Sequence, residues 1–305
     1  MTNCAKAIGI DIGGTKTAVA AVDHRGRIAA RRVFATEAVQ GFERALKRMA
    51  QAADSALAEA RWRRKDLCGI GVGCTGPVSA ERGVINNPYT LHSWTNCEIV
   101  ARLRAMFDRP AYLENDADAA LVGECFAGAA RGARRVVMLT LGTGVGGAAV
   151  VDGQIYRGAM GEHPELGHIP IGPSGAQCYC GTSGCLESIA SGTAIAAAGV
   201  AHGISCSADV FVLAAKGDPA AVEILDRVRR ALAMGTWTIL HTFMPELILL
   251  GGGVIDDHYQ VLAPAVEEQI RRATMVPAGA TRVAKARLGN DAGIVGAAAL
   301  ALRHA

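Results

Sequence analysis

Residues 7–26 read Ala7-Ile8-Gly9-Ile10-Asp11-Ile12-Gly13-Gly14-Thr15-Lys16-Thr17-Ala18-Val19-Ala20-Ala21-Val22-Asp23-His24-Arg25-Gly26. The apolar run Ala7 to Ile12 predicts a strand that stops at a Gly/Thr loop, and Thr17 to Val22 resumes as a second strand. His24-Arg25-Gly26 supplies a turn, after which Ile28 to Phe34 continues. The same order then returns. Val136 to Leu141 is strand-like, Gly142-Thr143-Gly144-Val145-Gly146-Gly147 is a glycine turn, Ala148 to Val151 resumes, and Asp152-Gly153 leads into Gln154-Ile155-Tyr156. Copies about 130 residues apart are too distant for a solenoid, so the economical reading is a duplicated α/β domain. Two lobes would then each offer one glycine loop to a central cleft.

The rest of the chain fits that reading. Gly41 to Ala60 carries Phe42, Leu46, Met49, Ala53 and Leu57 at helical spacing, Leu67 to Cys74 is a short buried strand, and Glu98 to Phe107 is a helix. Pro110 to Leu113 is a strand ending in Glu114-Asn115-Asp116, and Ala117 to Ala130 follows as an Ala-rich helix. Apolar strands alternating with helices are the α/β pattern. The basic run Arg61 to Lys65 could touch an acid or nucleic acid, but reads first as a solvated helix end.

Composition narrows the function. The 305 residues are 50% hydrophobic and 19% charged, with 31 basic against 28 acidic side chains, a net charge of +3. That balance excludes a polyanion-binding tail and an acidic disordered segment. Aromatics at 5% argue against a stacking-based single-strand nucleic-acid binder. The 37 glycines follow no G-X-Y period, which excludes collagen and predicts that they sit in turns and ligand loops. Met1 to Lys6 begins no signal peptide, and the apolar window Val136 to Val151 is shorter than the roughly 20 residues of a membrane span. The expectation is a soluble cytoplasmic protein with no membrane partner. In that compartment the nine cysteines are not disulfide staples, and a cluster among them holds metal.

Four constellations carry chemistry. In Asp11 to Lys16, glycines at a strand end expose successive amides to an anion, and Asp11 can hold a hydrated Mg²⁺ beside phosphates. A tight hairpin without a ligand fits the same string. No GxxxxGK[ST] loop is present, and Gly142 to Gly147 fits GxGxxG only literally, because a strand resumes where a helix should open. The pair of loops is the better signal, for phosphates clamped between lobes. Gly251-Gly252-Gly253 follows the buried run Leu247 to Leu250; it leaves room for a nucleoside or is a plain strand-to-helix turn. His168, Cys178, Cys180 and Cys185 follow H-x9-C-x-C-x4-C, the Cys₃His set of a closed structural zinc site, with Gly181 and Gly184 shaping the loop; a redox CxC pair or buried free thiols are the alternatives. Cys4, Cys68, Cys74, Cys97, Cys125 and Cys206 have no paired spacing and read as reduced thiols. Finally, Glu114-Asn115-Asp116 offers Asp116 either as a general base towards a hydroxyl, with Asn115 orienting the substrate, or as the N-cap of the next helix.

In this order the elements resemble the ROK family (repressors, open reading frames, kinases), bacterial sugar kinases of the actin-like ATPase superfamily. The resemblance spans Ile8 to the helix near Ala297. It rests on Asp11 to Lys16, Gly73-Cys74-Thr75-Gly76-Pro77, Glu114-Asn115-Asp116, Gly142 to Gly147, and Glu165-Leu166-Gly167-His168 with Cys178 to Glu187. It implies a duplicated actin-like (ribonuclease H-like) fold, with residues 1–117 as a small lobe, 118–290 as a large lobe bearing the zinc loop, and the helix 291–305 packing back on the small one. It implies that Asp11, Gly13, Gly14, Thr15 and Lys16 with Gly142, Thr143 and Gly144 embrace the phosphates of MgATP, and that Gly251, Gly252 and Gly253 lie against the adenosine. Asp116 is then the base, with Gly76, Asn87, Asn115, Glu165, His168 and Glu187 around the sugar. A homodimer is the family tendency. Repressors of the family carry a helix-turn-helix domain ahead of the first glycine loop; here that loop begins at Asp11, so a kinase is expected. Glucose is the expected hexose. Departures at His163-Pro164 and Asn86 to Trp94 leave fructose, an N-acylhexosamine or an aminosugar as alternatives, and a non-catalytic sugar sensor as the reading from another class.

Overall fold

A computed structural model describes residues 5–172 and 177–303; Cys4 lies outside them. The first elements are strands β1 (Lys6–Ile12), β2 (Lys16–Asp23) and β3 (Ile28–Ala35), helix α1 (Phe42–Ala60) and strand β4 (Gly69–Cys74). Short strands β5 (Val78–Ser79), β6 (Val84–Asn87) and β7 (Trp94–Cys97) lead to helix α2 (Ile99–Phe107), strand β8 (Ala111–Asn115) and helix α3 (Asp116–Ala127). Strands β9 (Val136–Leu141), β10 (Val145–Val151) and β11 (Gln154–Ile155) follow, then helices α4 (Glu187–Ala190), α5 (Gly192–Val200), α6 (Ser207–Ala215) and α7 (Pro219–Phe243). Strand β12 (Leu247–Gly251), helix α8 (Gly253–Arg272), strand β13 (Arg282–Lys285) and helix α9 (Ala292–Leu302) complete the chain.

These elements form two compact units. One holds the residues up to Gly132, Arg157–His163 and the chain from Asn290 onward; the other holds Ala133–Tyr156 and Pro164–Gly289. The first unit's sheet runs β3-β2-β1-β4-β8 and the second's β11-β10-β9-β12-β13. In both, the first three strands pair antiparallel and the last two join in parallel. The duplication read from the glycine loops therefore extends over both sheets, with β4 matching β12 and β8 matching β13. Strand β13 escaped the sequence reading because Arg-Val-Ala-Lys is short, charged and exposed at both ends, as edge strands tend to be.

Every residue of β4 is buried, as expected of a parallel strand covered on both faces. Leu46, Met49, Ala53 and Leu57 of α1 join Ile8, Ile10, Ile70 and Val72 in one apolar core. Helix α9 is the other cover, with eight of its eleven residues buried. Its small residues allow an unusually close approach. A methyl group at Gly71 would overlap the Ala297 carbonyl, and one at Gly296 would overlap the Ala119 carbonyl of α3. Glycines are thus spent inside strands and helices too, where the composition suggested turns and ligand loops alone.

Three further expectations change. Helix α3 runs Asp116–Ala127 rather than 117–130, and its N-cap is Asn115, not Asp116. Asn115 wins because its Oδ1 reaches the Ala117 amide at 2.8 Å and the Asp118 amide at 3.4 Å. Helix α3 also lies in the first unit, beyond the boundary expected after residue 117, because its Ala119–Gly123 face packs on α9. The basic run behaves as read: Arg61 caps α1, Arg64 pairs with Asp54 at 2.6 Å and Arg63 with Asp66 at 3.3 Å.

Overpacking a closed site costs about 1–3 kcal/mol, and more where backbone must move. Gly71→Ala is therefore expected to lower unfolding free energy by about 3 kcal/mol or more in urea titration. A change below about 0.5 kcal/mol, the size of a neutral surface substitution, would contradict the packing described.

Candidate active site and metal centre

In the first unit, three parallel strands end side by side. Asp11 of β1 lies opposite Gly73 of β4, which lies opposite Glu114 of β8; Ile12, Cys74 and Asn115 form the next row. The carboxyl edge of such a sheet is where open α/β folds bind ligands. Asp11, the Gly13–Lys16 loop, Gly76, Asn115 and Asp116 all emerge there. Gly14, Thr15 and Lys16 are exposed, while the loop is braced beneath: the Gly13 amide donates to the Lys16 carbonyl at 2.9 Å, and Thr36 Oγ1 donates to the Gly13 carbonyl at 2.7 Å. Burial, then the neighbouring Asp116, push Asp11 up to about 6, against the pull of Lys16 and Arg31. Such a carboxyl gains its charge most readily when a cation arrives.

Because Asn115 takes the cap, Asp116 stands in the first turn of α3, its Oδ1 accepting from the Ala117 amide at 2.9 Å. Gly76, in a cis peptide with Pro77, leaves the space beside Asn115 Nδ2, which a methyl group there would approach to 3.1 Å. Asn87 does not fit its expected role. Its Nδ2 donates to the Thr75 carbonyl at 3.0 Å and to Thr90 Oγ1 at 2.7 Å, and its Oδ1 accepts the Tyr89 and Thr90 amides, both at 3.0 Å. All four hydrogen-bonding positions are used within the protein, so this fully buried side chain shapes the turn rather than offering contacts to a sugar.

The same edge holds a charge cluster that the Glu114-Asn115-Asp116 motif announced only in part. Glu114 is 3% exposed and Asp118 is fully buried. Arg157 Nη2 donates to Glu114 Oε2, and Arg157 Nη1 stands 3.7 Å from Asp118 Oδ2. Burial, then Glu114, push Asp118 up to about 7, opposed by His163 and Arg157. Arg157 lies 43 residues from Glu114, so local spacing carried no sign of the pair.

In the second unit the Gly142 loop joins β9 to β10, in the position the Gly13 loop holds between β1 and β2. It is pinned by the start of α5: the Gly192 amide donates to the Gly142 carbonyl at 2.7 Å, and Thr193 Oγ1 to the Thr143 carbonyl at 2.8 Å. Gly251 pairs with Thr140, which brings the third glycine cluster beside this loop. Gly252 caps α8 at φ 88° against the Leu141 carbonyl, a place that only glycine fills without strain. Glu187, expected at the sugar, accepts the Val145 amide at 2.8 Å and lies against Gly144. Tyr179, missed among the cysteines, has its hydroxyl pushed up by burial and then by the neighbouring Glu187, and sets its ring edge-on to His168 at 5.0 Å.

The donor atoms of His168, Cys178, Cys180 and Cys185 lie within 4.8 Å of one another. Cys178 Sγ is 3.4 Å from His168 Nδ1, and Cys180 Sγ is 3.5 Å from Cys185 Sγ. Zinc bonds of about 2.3 Å to sulfur and 2.0–2.1 Å to nitrogen give tetrahedral edges of roughly 3.6–3.8 Å, so the set fits. The loop is tied to α4: the Leu186 amide donates to the Ile169 carbonyl at 3.0 Å, and the Ile171 amide to the Gly184 carbonyl at 2.9 Å. Whatever orders the cysteines therefore also orders Glu187.

Among the described residues, no helix is long and apolar enough to cross a membrane. Residues 7–304 match the ROK family. A glucokinase of Thermotoga maritima is 33% identical over 97% of this chain and 96% of its own, and an N-acetylmannosamine kinase of Salmonella typhimurium is 32% identical over 96% and 97%. A ROK hexokinase structure from Thermus thermophilus shares 34% identity and a TM-score of 0.85, covering 98% of this chain and 100% of its own. A ROK glucokinase structure from Streptomyces griseus, in complex with glucose and AMPPNP, shares 30% identity and a TM-score of 0.74 over the same shares. The duplicated sheet with its paired glycine loops, the Asn115–Asp116 turn and the Cys₃His loop thus have one common explanation: this chain belongs to the ROK family.

Proposed function

We propose that the protein is an ATP-dependent hexose kinase that transfers the γ-phosphoryl of MgATP to glucose, giving glucose 6-phosphate, and that it works in the cytoplasm as a homodimer. The observation that carries the reading is the shared sheet edge on which Asp11, the Gly13 loop and the Asn115–Asp116 turn are held in register. Full-length likeness to glucokinases, one of them solved with glucose and a nucleotide analogue, supports the acceptor and the donor.

Asp116 is the general base: it accepts the proton of the attacking sugar hydroxyl, oriented by Asn115 Nδ2, since Asn115 Oδ1 is committed to the cap. Gly76 keeps room for the ring. Glu165, His168 and Glu187 contact the remaining hydroxyls. The amides of Gly13, Gly14 and Thr15 with Lys16, and those of Gly142, Thr143 and Gly144, hold the phosphates, and Gly251 to Gly253 flank the adenosine. Asp11 holds hydrated Mg²⁺, which when bound neutralises phosphate charge. Phosphoryl transfer asks the protein mainly for alignment and charge neutralisation, with the base adding a further factor. His168, Cys178, Cys180 and Cys185 hold a structural zinc, whose closed ligand set leaves no position for a reacting water.

An N-acylhexosamine acceptor is the second reading, favoured by the N-acetylmannosamine kinase relative. A pocket separates such sugars by which of its polar groups the wrong one leaves unpaired.

Asp116→Asn is expected to bind glucose within a few-fold of wild type while kcat falls by about 10²–10⁴. Near-normal kcat in that variant would remove Asp116 as the base. Metal analysis of purified protein is expected to give about one zinc per chain, with chelation lowering the melting temperature, because metal binding is coupled to folding. Protein that is fully active and free of zinc would overturn the metal assignment.

A further inference from the structure

Residues 114–118 place three carboxylates, Glu114, Asp116 and Asp118, within five positions, and Asp11 ends the strand two places across the sheet. Burying even one carboxylate is costly unless a cation or hydrogen bonds compensate it. The Asp118 oxygens accept no hydrogen bond, and Glu114 is almost as deeply buried. Both meet the same guanidinium: Arg157 Nη2 donates to Glu114 Oε2, and Nη1 lies 3.7 Å from Asp118 Oδ2. A planar fork can serve two acids at once, which a lysine ammonium does less well.

The two acids bracket the reactive turn. Glu114 Oε1 accepts the Asn115 amide at 2.9 Å, and the Asp118 amide donates to the capping Asn115 Oδ1 at 3.4 Å. Arg157 is thus connected through one carboxylate to the residue before Asp116 and through the other to the turn after it. We propose that Arg157 is a positioning residue for phosphoryl transfer: by neutralising Glu114 and Asp118 together it fixes the strand-to-helix turn that aims Asn115 and Asp116. The proposal rests on the reading of Asp116 as the base. With Arg157 removed, neither acid keeps its cation, and each must protonate or shift, loosening the turn they bracket. Misplacing a reacting group by about 1 Å can cost about 10²-fold in rate.

The test is a charge-relief series measured beside Asp116→Asn. Arg157→Gln is expected to lower kcat by about 10–100-fold with KM for ATP within about threefold, and Arg157→Lys to fall between it and wild type. Adding Glu114→Gln and Asp118→Asn to Arg157→Gln removes the uncompensated charges while keeping an acceptor for the Asn115 amide, and is expected to restore most of kcat. Loss without restoration, in folded protein, would overturn the proposal, because a merely structural role of the Arg157–His163 segment predicts that result. Should Arg157→Gln fail to fold, the triple variant decides: regained folding and turnover support the proposal, and their absence overturns it. Full kcat in Arg157→Gln with an inactive Asp116→Asn sinks the inference and leaves the base reading standing. An active Asp116→Asn sinks the base reading, and the inference with it.

Discussion

Helix α9 sits so close to the first sheet and to α3 that side chains larger than hydrogen are excluded at Gly71 and Gly296, and the placement of the carboxylates at that sheet's edge depends on these contacts. Dense packing of backbone on backbone transmits position stiffly, because interiors at crystal-like density have little free volume to absorb a shift. Strands β1 and β4 are gripped between α9 and α1, and β8 is paired to β4. Gly293, in the first turn of α9, lies against the Asp11 carboxylate, so the helix that closes the core also touches the functional edge. A chain that spends glycines in its interior gives up conformational entropy and gains rigidity under the site.

That rigidity is what makes the charges tolerable. Acids at the edge of a buried sheet would ordinarily protonate or swing into water. Here Asp11 is pushed up to about 6 and Asp118 to about 7, each chiefly by burial. The groups opposing these shifts are Lys16 of the adjoining loop and Arg31 of β3 for Asp11, and His163 and Arg157, from about 40 residues further along the chain, for Asp118. The second unit meets the corresponding demand differently. Its glycine loop is steadied by Glu187 and by the first turn of α5, and the loop bearing Glu187's neighbours is organised around three thiols and an imidazole.

Much of this was legible in the chain. Ile8 to Ile12 and Val136 to Leu141 announce strands, and the glycine loops that follow them revealed the duplication before any pairing was known. The Cys₃His spacing was readable because metal ligands must recur at short range. What escaped was non-local. Arg157 meets Glu114 across 43 residues, and only the folded chain joins them. The close contacts of Gly71 and Gly296 look like any other glycine in sequence. Family resemblance alone puts Asn87 at the sugar; its four internal hydrogen bonds appear only in three dimensions. The cap went to Asn115 rather than Asp116 by a single position, a difference of hydrogen-bond reach that both residue types satisfy in principle.

Phosphorylation of a hexose is the reaction proposed for the carboxylate edge and the paired glycine loops. Phosphorus NMR of the reaction with MgATP and an equimolar mixture of glucose, fructose, glucosamine and N-acetylmannosamine tests it most directly. One dominant phosphomonoester, on the 6-hydroxyl of glucose, is expected to grow in step with ADP. Inorganic phosphate as the sole product, or ATP left intact with every sugar present, would contradict it.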